Sequence, residues 1–220
     1  MTRLTQKNRI SEINNKILLM ADLVEKQILK SMSNLKRHDP NFVEEIIKDD
    51  DKVDELQQMI EEECIIFIAT EQPLAKDLRN VFIATKISTD LERMADHAVD
   101  ICKAAKKINF GSSTFPEESK ALWDMEEKVR KMINMAVNAY VNRNIDEAYE
   151  ICKMDDTVDE LYRRIFGGMM KIIKDEEVKS DAVAQLLFIA KYLERIGDRV
   201  TNICEGIIFA KNGTYVDLNE

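Results

Sequence analysis

Residues that interrupt helices are scarce in this chain, which contains only six glycines and three prolines among 220 residues. Leu, Ile, Met, Ala, Glu and Lys are abundant, and these residue types favour helix. No stretch alternates apolar and polar residues in the manner of successive strands. Hydrophobic residues make up 45% of the chain, an ordinary share for a packed core, which argues against disorder. The sequence therefore predicts an all-α protein.

Histidine and closely spaced cysteine, the usual ligands of structural zinc and iron–sulfur sites, are also scarce. Only His38 and His97 occur, and no ExxH motif of the ferritin-like di-iron type is present. His97 adjoins Asp96 but has an arginine at the repeated position, so we interpret it as a surface or salt-linked histidine. The cysteines form no CxxC pair and lie in apolar helical patterns, so we interpret them as reduced core residues. They are Cys64, Cys102, Cys152 and Cys204.

Signals for a membrane span, for nucleic-acid binding and for catalysis are likewise missing. No uncharged apolar run approaches the roughly 20 residues that a span needs, and the first residues lack the apolar core of a secretory signal. The net charge of −9, from 32 basic and 41 acidic residues, argues against nucleic acid or anionic lipid as a partner. No P-loop, GxSxG, HExxH or Rossmann glycine pattern occurs. We expect a cytoplasmic protein, not an enzyme, with any membrane role exerted through a membrane-protein partner.

Turn and capping residues divide the chain into helices. The stretch RHDPNF places Asp39 as an N-cap and Pro40 at the first helical position. A second break is expected near Pro73, Pro116 opens a helix after NFGSSTFPEE, and Asn144 caps the helix that follows. The six predicted helices span residues of about 10–37, 40–71, 74–108, 116–142, 145–175 and 180–211.

The chain contains an internal duplication. The block DDKVDEL at 50–56 matches DDTVDEL at 155–161 in six of seven positions, at an offset of 105 residues. The block LER at 91–93 recurs at 193–195, and matching Asp, Ile and Cys residues follow in both copies at an offset of 102. Two matched blocks in the same order, with a small length change that a turn absorbs, predict two tandem three-helix bundles. The predicted domains are residues 1–109 and 110–220.

Both copies carry acidic residues four positions apart on two helices. Like charges at this spacing are neighbours on a helix and repel each other. Each series runs along the edge of an apolar stripe, so the acids of two packed helices can converge at their seam. The first copy contributes Asp50, Asp54, Glu92, Asp96 and Asp100. The second copy contributes Asp155, Asp159, Glu194 and Asp198, with Asn202 as a neutral ligand.

Two interpretations of these acids remain open. The first is a solvated charged edge, neutralised by basic neighbours such as Arg93 and Arg195. The second is a metal site in each copy, since a bound cation is the simplest compensation for several converging carboxylates. Oxygen ligands suit hard ions. The candidate ions are Fe, Mg, Mn, Ca and Zn.

The motifs LERMADHAVDIC and LERIGDRVTNICEGIIF resemble the E(D)xxxD signature of the PhoU family of phosphate-uptake regulators. The segments KDDDKVDELQ, EQPLAKDLR and NIDEAYEICKMDDTVDELY resemble the family's intervening segments, and the resemblance covers roughly residues 10–211. It implies a six-helix architecture, multinuclear metal sites in some members and frequent dimers. It also implies a role between a phosphate ABC transporter and a phosphate-sensing histidine kinase, usually repressive when phosphate is plentiful.

By position, the resemblance assigns the signature acids to Glu92 and Asp96 and to their counterparts in the second copy. The chain departs from the family pattern at Ala95, where the second copy has the more usual Gly197. Asn202 stands opposite Asp100 with one formal charge fewer, so equal metal affinity of the two sites is not expected.

The favoured function is an adaptor in phosphate signalling, present as a homodimer. Two alternatives remain: a metal-dependent helical-bundle enzyme, and a co-chaperone-like adaptor unrelated to phosphate. A DNA-binding regulator is disfavoured by the negative charge.

Overall fold

A computed structural model describes residues 3–37, 39, 42–108, 116–173 and 180–218. Within these ranges the chain forms six α-helices and a short 3₁₀ turn, with no strand. The helices are α1 Arg3–Arg37, α2 Phe42–Glu71, α3 Ala75–Lys107, α4 Ala121–Asn142, α5 Ile145–Ile173 and α6 Ser180–Asn212, and the 3₁₀ turn Glu117–Lys120 precedes α4. The prediction of an all-α protein built from tandem helical bundles is confirmed.

The largest boundary difference concerns α1, which begins at Arg3 where the apolar pattern predicted a start near residue 10. The extra turns lie beside the end of α2. Gln6 donates a hydrogen bond to the carbonyl of Glu71 at 3.2 Å, and Arg9 donates one to Thr70 Oγ1 at 2.9 Å. The first turns of α1 are therefore held by polar contacts with α2 rather than by an apolar face. Pro40 and the predicted end of α5 at residue 175 lie outside the described residues.

The predicted breaks near Pro73 and at Asn144 coincide with observed helix ends, whereas Pro116 opens a 3₁₀ turn and α4 itself begins at Ala121. Asn144 Oδ1 accepts the backbone N–H of Glu147 at 3.3 Å, while Asn144 Nδ2 donates to Glu147 Oε2 at 3.1 Å. This reciprocal pair confirms the predicted N-cap of α5. Arg143, just before it, ends α4 in the left-handed region with a φ of 55°. At the other break, Gln72 takes a φ of 45° between α2 and α3.

The two copies repeat the same pattern of buried side chains. Val24 and Ile28 of α1 are buried, and so are Val129 and Ile133 of α4, which stand one repeat later at an offset of 105 residues. Leu91 of α3 and its α6 counterpart are both fully buried. The apolar stripes read from the sequence are therefore the faces on which each three-helix unit packs.

The copies meet chiefly along α3 and α6, which run antiparallel. Arg199 of α6 donates a hydrogen bond to Asp90 of α3 at 3.3 Å, and the rings of His97 and Tyr192 stack with centroids 5.7 Å apart. At the repeat offset of 102, Asp90 corresponds to Tyr192 and His97 to Arg199. The two contacts are therefore equivalent under a pseudo-twofold axis between the copies. His97, interpreted from the sequence as a surface or salt-linked histidine, is half-buried at this crossing, with its ring against Tyr192.

Two further features bear on function. Among the described helices, none carries an apolar stretch of the length that a bilayer crossing requires. An apolar row is exposed at the start of α3, formed by Leu74, Leu78 and Phe82, with Ile65 and Ile68 exposed on α2 at the same end of the bundle. The predicted domain boundary between residues 109 and 110 lies outside the described residues.

Candidate metal centre

Four of the predicted acids of the first copy lie together at the seam of α2 and α3. We call them cluster 1, which consists of Asp50, Asp54, Glu92 and Asp96. Burial raises the pKa of Glu92, and the nearby carboxylates of Asp96, Asp54 and Asp50 raise it further. Burial also raises the pKa of Asp50, with Asp54 and Asp96 adding to the effect against a hydrogen bond from Gln27. The acids from two helices therefore repel across the seam, as the stripe pattern predicts.

The corresponding four acids of α5 and α6, Asp155, Asp159, Glu194 and Asp198, form cluster 2. Burial raises the pKa of Asp155 to about 7, and the carboxylates of Asp198, Asp159 and Glu194 contribute in that order. Burial raises the pKa of Asp198 as well, followed by the charge of Glu194. A carboxyl group with a pKa near 7 is half protonated at neutral pH, so this cluster holds less than its full negative charge unless a cation neutralises it.

The carboxylate of Asp155 occupies the space that a side chain at position 197 would fill, because that residue is Gly197. A Cβ atom added at Gly197 would overlap Asp155 Oδ1, and this oxygen is buried and accepts no hydrogen bond from any described residue. Gly197 thus makes room for the carboxylate. The first copy has Ala95 at this position, and there Asp50 Oδ1 accepts a hydrogen bond from Gln27 Nε2 at 3.1 Å.

The second copy lacks the donor that serves Asp50. Gln27 is a buried polar residue of α1, and the position one repeat later, at an offset of 105, is Met132 of α4, which is buried too. A thioether donates no hydrogen bond. The two clusters therefore differ in their surroundings at Gln27 and Met132, whereas the expected difference in metal affinity stays a prediction.

Basic side chains border both clusters. Arg93 lies with Nε 3.4 Å from Glu92 Oε2 and with NH1 2.9 Å from Asp96 Oδ2. In cluster 2, Lys191 pairs with Glu194, and Arg163 NH2 lies 3.2 Å from Asp159 Oδ2. Arg195 was expected to neutralise the acids, but it lies near His97 instead. Burial lowers the pKa of His97, and the charge of Arg195 lowers it further. Each cluster is thus partly compensated from its solvent side, while Asp155 is compensated by none of these ion pairs.

Asp100 and Asn202, the last members of the predicted sets, lie on a different face. Asp100 borders a surface cavity with Phe188 and Tyr192 of α6. Asn202 hydrogen-bonds the carboxylate of Asp90. Eight residues rotate a helix by about 80°, which carries these side chains away from the α2 or α5 seam and towards the crossing of α3 and α6. These two residues therefore lie apart from the four acids of each cluster, and their role as metal ligands stays an untested prediction.

The fit of the clusters to a metal ion is partial. Across the described ranges, no three acidic, histidine or cysteine side chains converge closely enough to hold one ion as they stand. Carboxylates repel one another, and those of Asp96 and Asp159 turn instead to the cations of Arg93 and Arg163. The unbonded Oδ1 of Asp155 and the all-oxygen donor sets nevertheless suit a hard cation after small side-chain rotations. Metal binding therefore stays a prediction, with cluster 2 the better prepared site.

The PhoU domain profile matches residues 17–105 and 122–207 of this chain. The chain belongs to the PhoU family. The resemblance read from the sequence is confirmed, and each PhoU match contains one whole acidic cluster. The two matches begin 105 residues apart, which is the offset of the repeated DD-VDEL blocks.

Relatives match the whole chain rather than a part of it. A phosphate-specific transport system accessory protein PhoU homolog from Clostridium acetobutylicum is 47% identical over 221 residues, covering 100% of both chains. The phosphate-specific transport system accessory protein PhoU from Escherichia coli is 31% identical over 207 residues, and the match covers 93% of this chain and 84% of that protein. The crystal structure of the phosphate transport system regulatory protein PhoU from Streptococcus pneumoniae superposes with a TM-score of 0.88 at 27% identity, covering 96% and 99% of the two chains.

The raised pKa of Asp155 predicts a pH-dependent stability for the metal-free protein. Its ionised form is disfavoured in the folded state, so stability is highest below its unfolded pKa of about 4 and falls as the pH rises through 7. We expect Asp155→Asn to raise the free energy of unfolding at pH 8 by about 2 kcal/mol, after discounting for the solvent that reaches this group. Urea unfolding in chelator at pH 5 and pH 8 measures this, and the difference between the two pH values should shrink in the variant.

The matched control for Asp155→Asn is Asp100→Asn, which removes one carboxylate outside the clusters. It should leave the stability at pH 8 within about 0.5 kcal/mol of the wild type. An Asp155→Asn variant that is less stable than the wild type at pH 8 in chelator would show that the buried carboxylate is stabilised by its surroundings.

Proposed function

We propose that this protein regulates phosphate uptake and phosphate-starvation signalling by binding other proteins. Its targets are the cytoplasmic parts of a phosphate ABC transporter and the sensor histidine kinase that reports on phosphate, and it represses the starvation response when phosphate is plentiful. The observation that carries this proposal is the structural match to the regulatory protein from Streptococcus pneumoniae, which covers 96% of this chain and 99% of that chain. The protein acts in the cytoplasm as a homodimer.

The acidic clusters give this adaptor a rigid core in each copy. A bound hard cation supplies the positive charge that each set of four carboxylates lacks. Glu92 and Asp96 hold the α3 side of cluster 1, while Asp50 and Asp54 hold the α2 side. With their repulsion relieved, the two helices of each copy keep one packing, and the surface they present is preorganised for a partner.

The apolar row at the start of α3 is the surface that we assign to the transporter. Leu74 exposes 82% of its area, and Leu78 and Phe82 follow it at successive four-residue steps on the same side of the helix. Exposed apolar patches of this kind mark protein–protein contacts. The relatives are named as accessory proteins of a phosphate-specific transport system, which favours a transporter subunit as the occupant. An acidic protein gains no attraction from anionic lipid, so this contact has to supply the affinity.

Deletion of the gene tests the function. With phosphate plentiful, we expect a phosphate-starvation reporter to be derepressed in the deletion strain and to return to its silent state when the wild-type chain is restored. A reporter that stays silent in the deletion strain, together with normal phosphate uptake, would contradict the proposal.

The surface assignment is tested in the same strain with charge-matched variants. Leu78→Glu combined with Phe82→Glu places two charges in the apolar row, and we expect it to lose capture of the transporter from solubilised membranes by at least tenfold. The control is Leu19→Glu combined with Leu29→Glu, which changes two equally exposed leucines of α1 that form no row. Equal capture by both variants would place the contact elsewhere on the protein.

A further inference from the structure

Two surface grooves between α3 and α6 correspond to each other under the internal duplication. Groove 1 is lined by Lys86, Asp90, Asn202, Glu205 and Gly206. Groove 2 is lined by their counterparts at the repeat offset of 102, which are, in the same order, Phe188, Tyr192, Asp100, Lys103 and Ala104. The pseudo-twofold axis therefore exchanges the two grooves, and each one is an internal comparison for the other.

The C-terminal segment of the chain covers groove 1. The segment turns back at Gly213, which takes a φ of 79° and donates its backbone N–H to the carbonyl of Phe209 at 2.8 Å. The ring of Tyr215, which lines the groove, then stacks on the ring of Phe209 with centroids 4.0 Å apart. Leu218 donates its backbone N–H to Glu205 Oε1 at 2.9 Å. Groove 1 thus binds a non-helical segment through one aromatic side chain and one polar contact three residues later.

Two side chains of different character hold the ring of Tyr215 in groove 1. Phe209 supplies an aromatic face that lies 14° from parallel with the ring. Lys86 supplies a cation, with its Nζ 5.0 Å from the ring centroid and 3.2 Å from the hydroxyl oxygen of Tyr215. Ring stacking and a cation over a ring face are both attractive, so this combination recognises an aromatic side chain.

Groove 2 presents the same two kinds of side chain with their positions exchanged. Phe188 stands where groove 1 has Lys86, and Lys107, which also lines groove 2, stands at the position that corresponds to Phe209. Phe188 exposes 54% of its area, and Lys107 is exposed as well. Among the described residues, no counterpart of Tyr215 lines groove 2. An aromatic ring from another chain would therefore find a stacking partner and a cation there, as Tyr215 does in groove 1.

The polar contact changes sign between the two grooves. Glu205 accepts the backbone N–H of Leu218 in groove 1, whereas Lys103 takes the place of Glu205 in groove 2. A lysine ammonium donates hydrogen bonds and accepts none, so at this position it favours a carboxylate. Lys103 lies 3.9 Å from Asp100 and is thus only loosely paired. On a protein with a net charge of −9, Lys103 and Lys107 make this groove locally positive.

We propose that groove 2 binds a non-helical segment of a partner protein in which an aromatic residue is followed, three positions later, by an acidic residue. The aromatic ring stacks on Phe188 beside Lys107, and the carboxylate pairs with Lys103. The cavity of about 240 Å³ is smaller than the ~300–1,000 Å³ of sites for small molecules, which favours a side chain over a cofactor. Groove 2 shares no residue with the apolar row of α3, so this inference does not depend on what that row binds.

The experiment uses a fluorescently labelled peptide with the sequence of residues 212–220 and the change Leu218→Glu, which places an acid three positions after Tyr215. We expect it to bind the full-length protein saturably in a fluorescence-anisotropy titration. Phe188→Ala should weaken binding about tenfold or more, because it removes the stacking ring. Lys103→Glu combined with Lys107→Glu should do the same, because it repels the acid. Absence of saturable binding up to about 1 mM peptide would overturn the proposal.

The control variant is Lys131→Glu combined with Lys153→Glu, which changes two exposed lysines of α4 and α5 that line neither groove. It should bind the peptide as the wild type does, and equal weakening would show that only the net charge matters. Binding that is lost in Lys86→Ala but kept in the groove 2 variants would place the peptide in groove 1. Equal affinity for the unmodified tail sequence would identify the tail of a second copy of this chain as the occupant. Each of these three results would overturn the proposal.

Discussion

Neutralising two acids of one cluster is expected to remove the metal of that cluster and leave the other loaded. The protein purified without chelator should contain metal attributable to both clusters, and Glu92→Gln combined with Asp96→Asn should lower the content by about half. These side chains hold the α3 side of cluster 1, where Glu92 already feels the charges of three neighbouring acids. Loss of a residue that only hydrogen-bonds to a metal ligand weakens metal binding about 10–100-fold, and loss of a direct ligand should weaken it at least as much. Elemental analysis of the purified chains measures this content.

The controls for this prediction come from the two residues that the structure places elsewhere. Asp100→Asn and Asn202→Ala should retain the full metal content, because neither side chain lies at the α2 or α5 seam. Unchanged metal content in the Glu92→Gln, Asp96→Asn variant would mean that cluster 1 is a solvated edge balanced by Arg93. The control variants then decide whether any metal found lies at the crossing of α3 and α6.

The two clusters should differ in how metal binding depends on pH. Asp155 has a pKa of about 7, so protons compete with a cation for cluster 2 across the neutral range. In cluster 1, Gln27 donates a hydrogen bond to Asp50 and offsets part of the burial. Metal is therefore expected to leave cluster 2 first as the pH falls from 8 to 5.

The architecture was largely predictable because helix periodicity, capping and duplication are all local or repeated signals. The apolar stripes, the N-cap at Asn144 and the repeated DD-VDEL blocks predicted the helices that pack, and the structure confirms them. The extension of α1 back to Arg3 could not be predicted in this way. Its first turns are polar and lie against α2 through Gln6 and Arg9, which is a long-range contact that no local pattern records.

The candidate site was predictable in part. Repetition identified the four acids of each cluster, since converging stripes appear in both copies. It did not show where a stripe leaves the seam, because that depends on how α3 and α6 cross, and Asp100 was included for that reason. Gln27 carries a weak signal, as a polar residue within the apolar stripe of α1.

Truncation of one core leucine is expected to unfold both copies together. Leu91 of α3 is fully buried, and Leu91→Ala should lower the free energy of unfolding by about 2–5 kcal/mol. For a chain of this size that corresponds to a fall of about 10 °C in the melting temperature. Leu193→Ala, the change at the repeated position in α6, should have a similar effect, since Leu193 is equally buried. Leu29→Ala removes an exposed leucine of α1 and should change the stability by less than about 0.5 kcal/mol.

The single tryptophan allows the coupling of the two copies to be measured. Trp123 lies in α4 of the second copy, and Lys36 of α1 lies over its ring at 4.7 Å. Because α3 packs along α6, loss of core contacts at Leu91 weakens the interface that the second copy depends on. The fluorescence of Trp123 and the far-UV circular dichroism of the whole chain should therefore shift together in Leu91→Ala. A tryptophan transition that keeps its wild-type midpoint, while the circular dichroism divides into two steps, would show that each copy folds independently of the other.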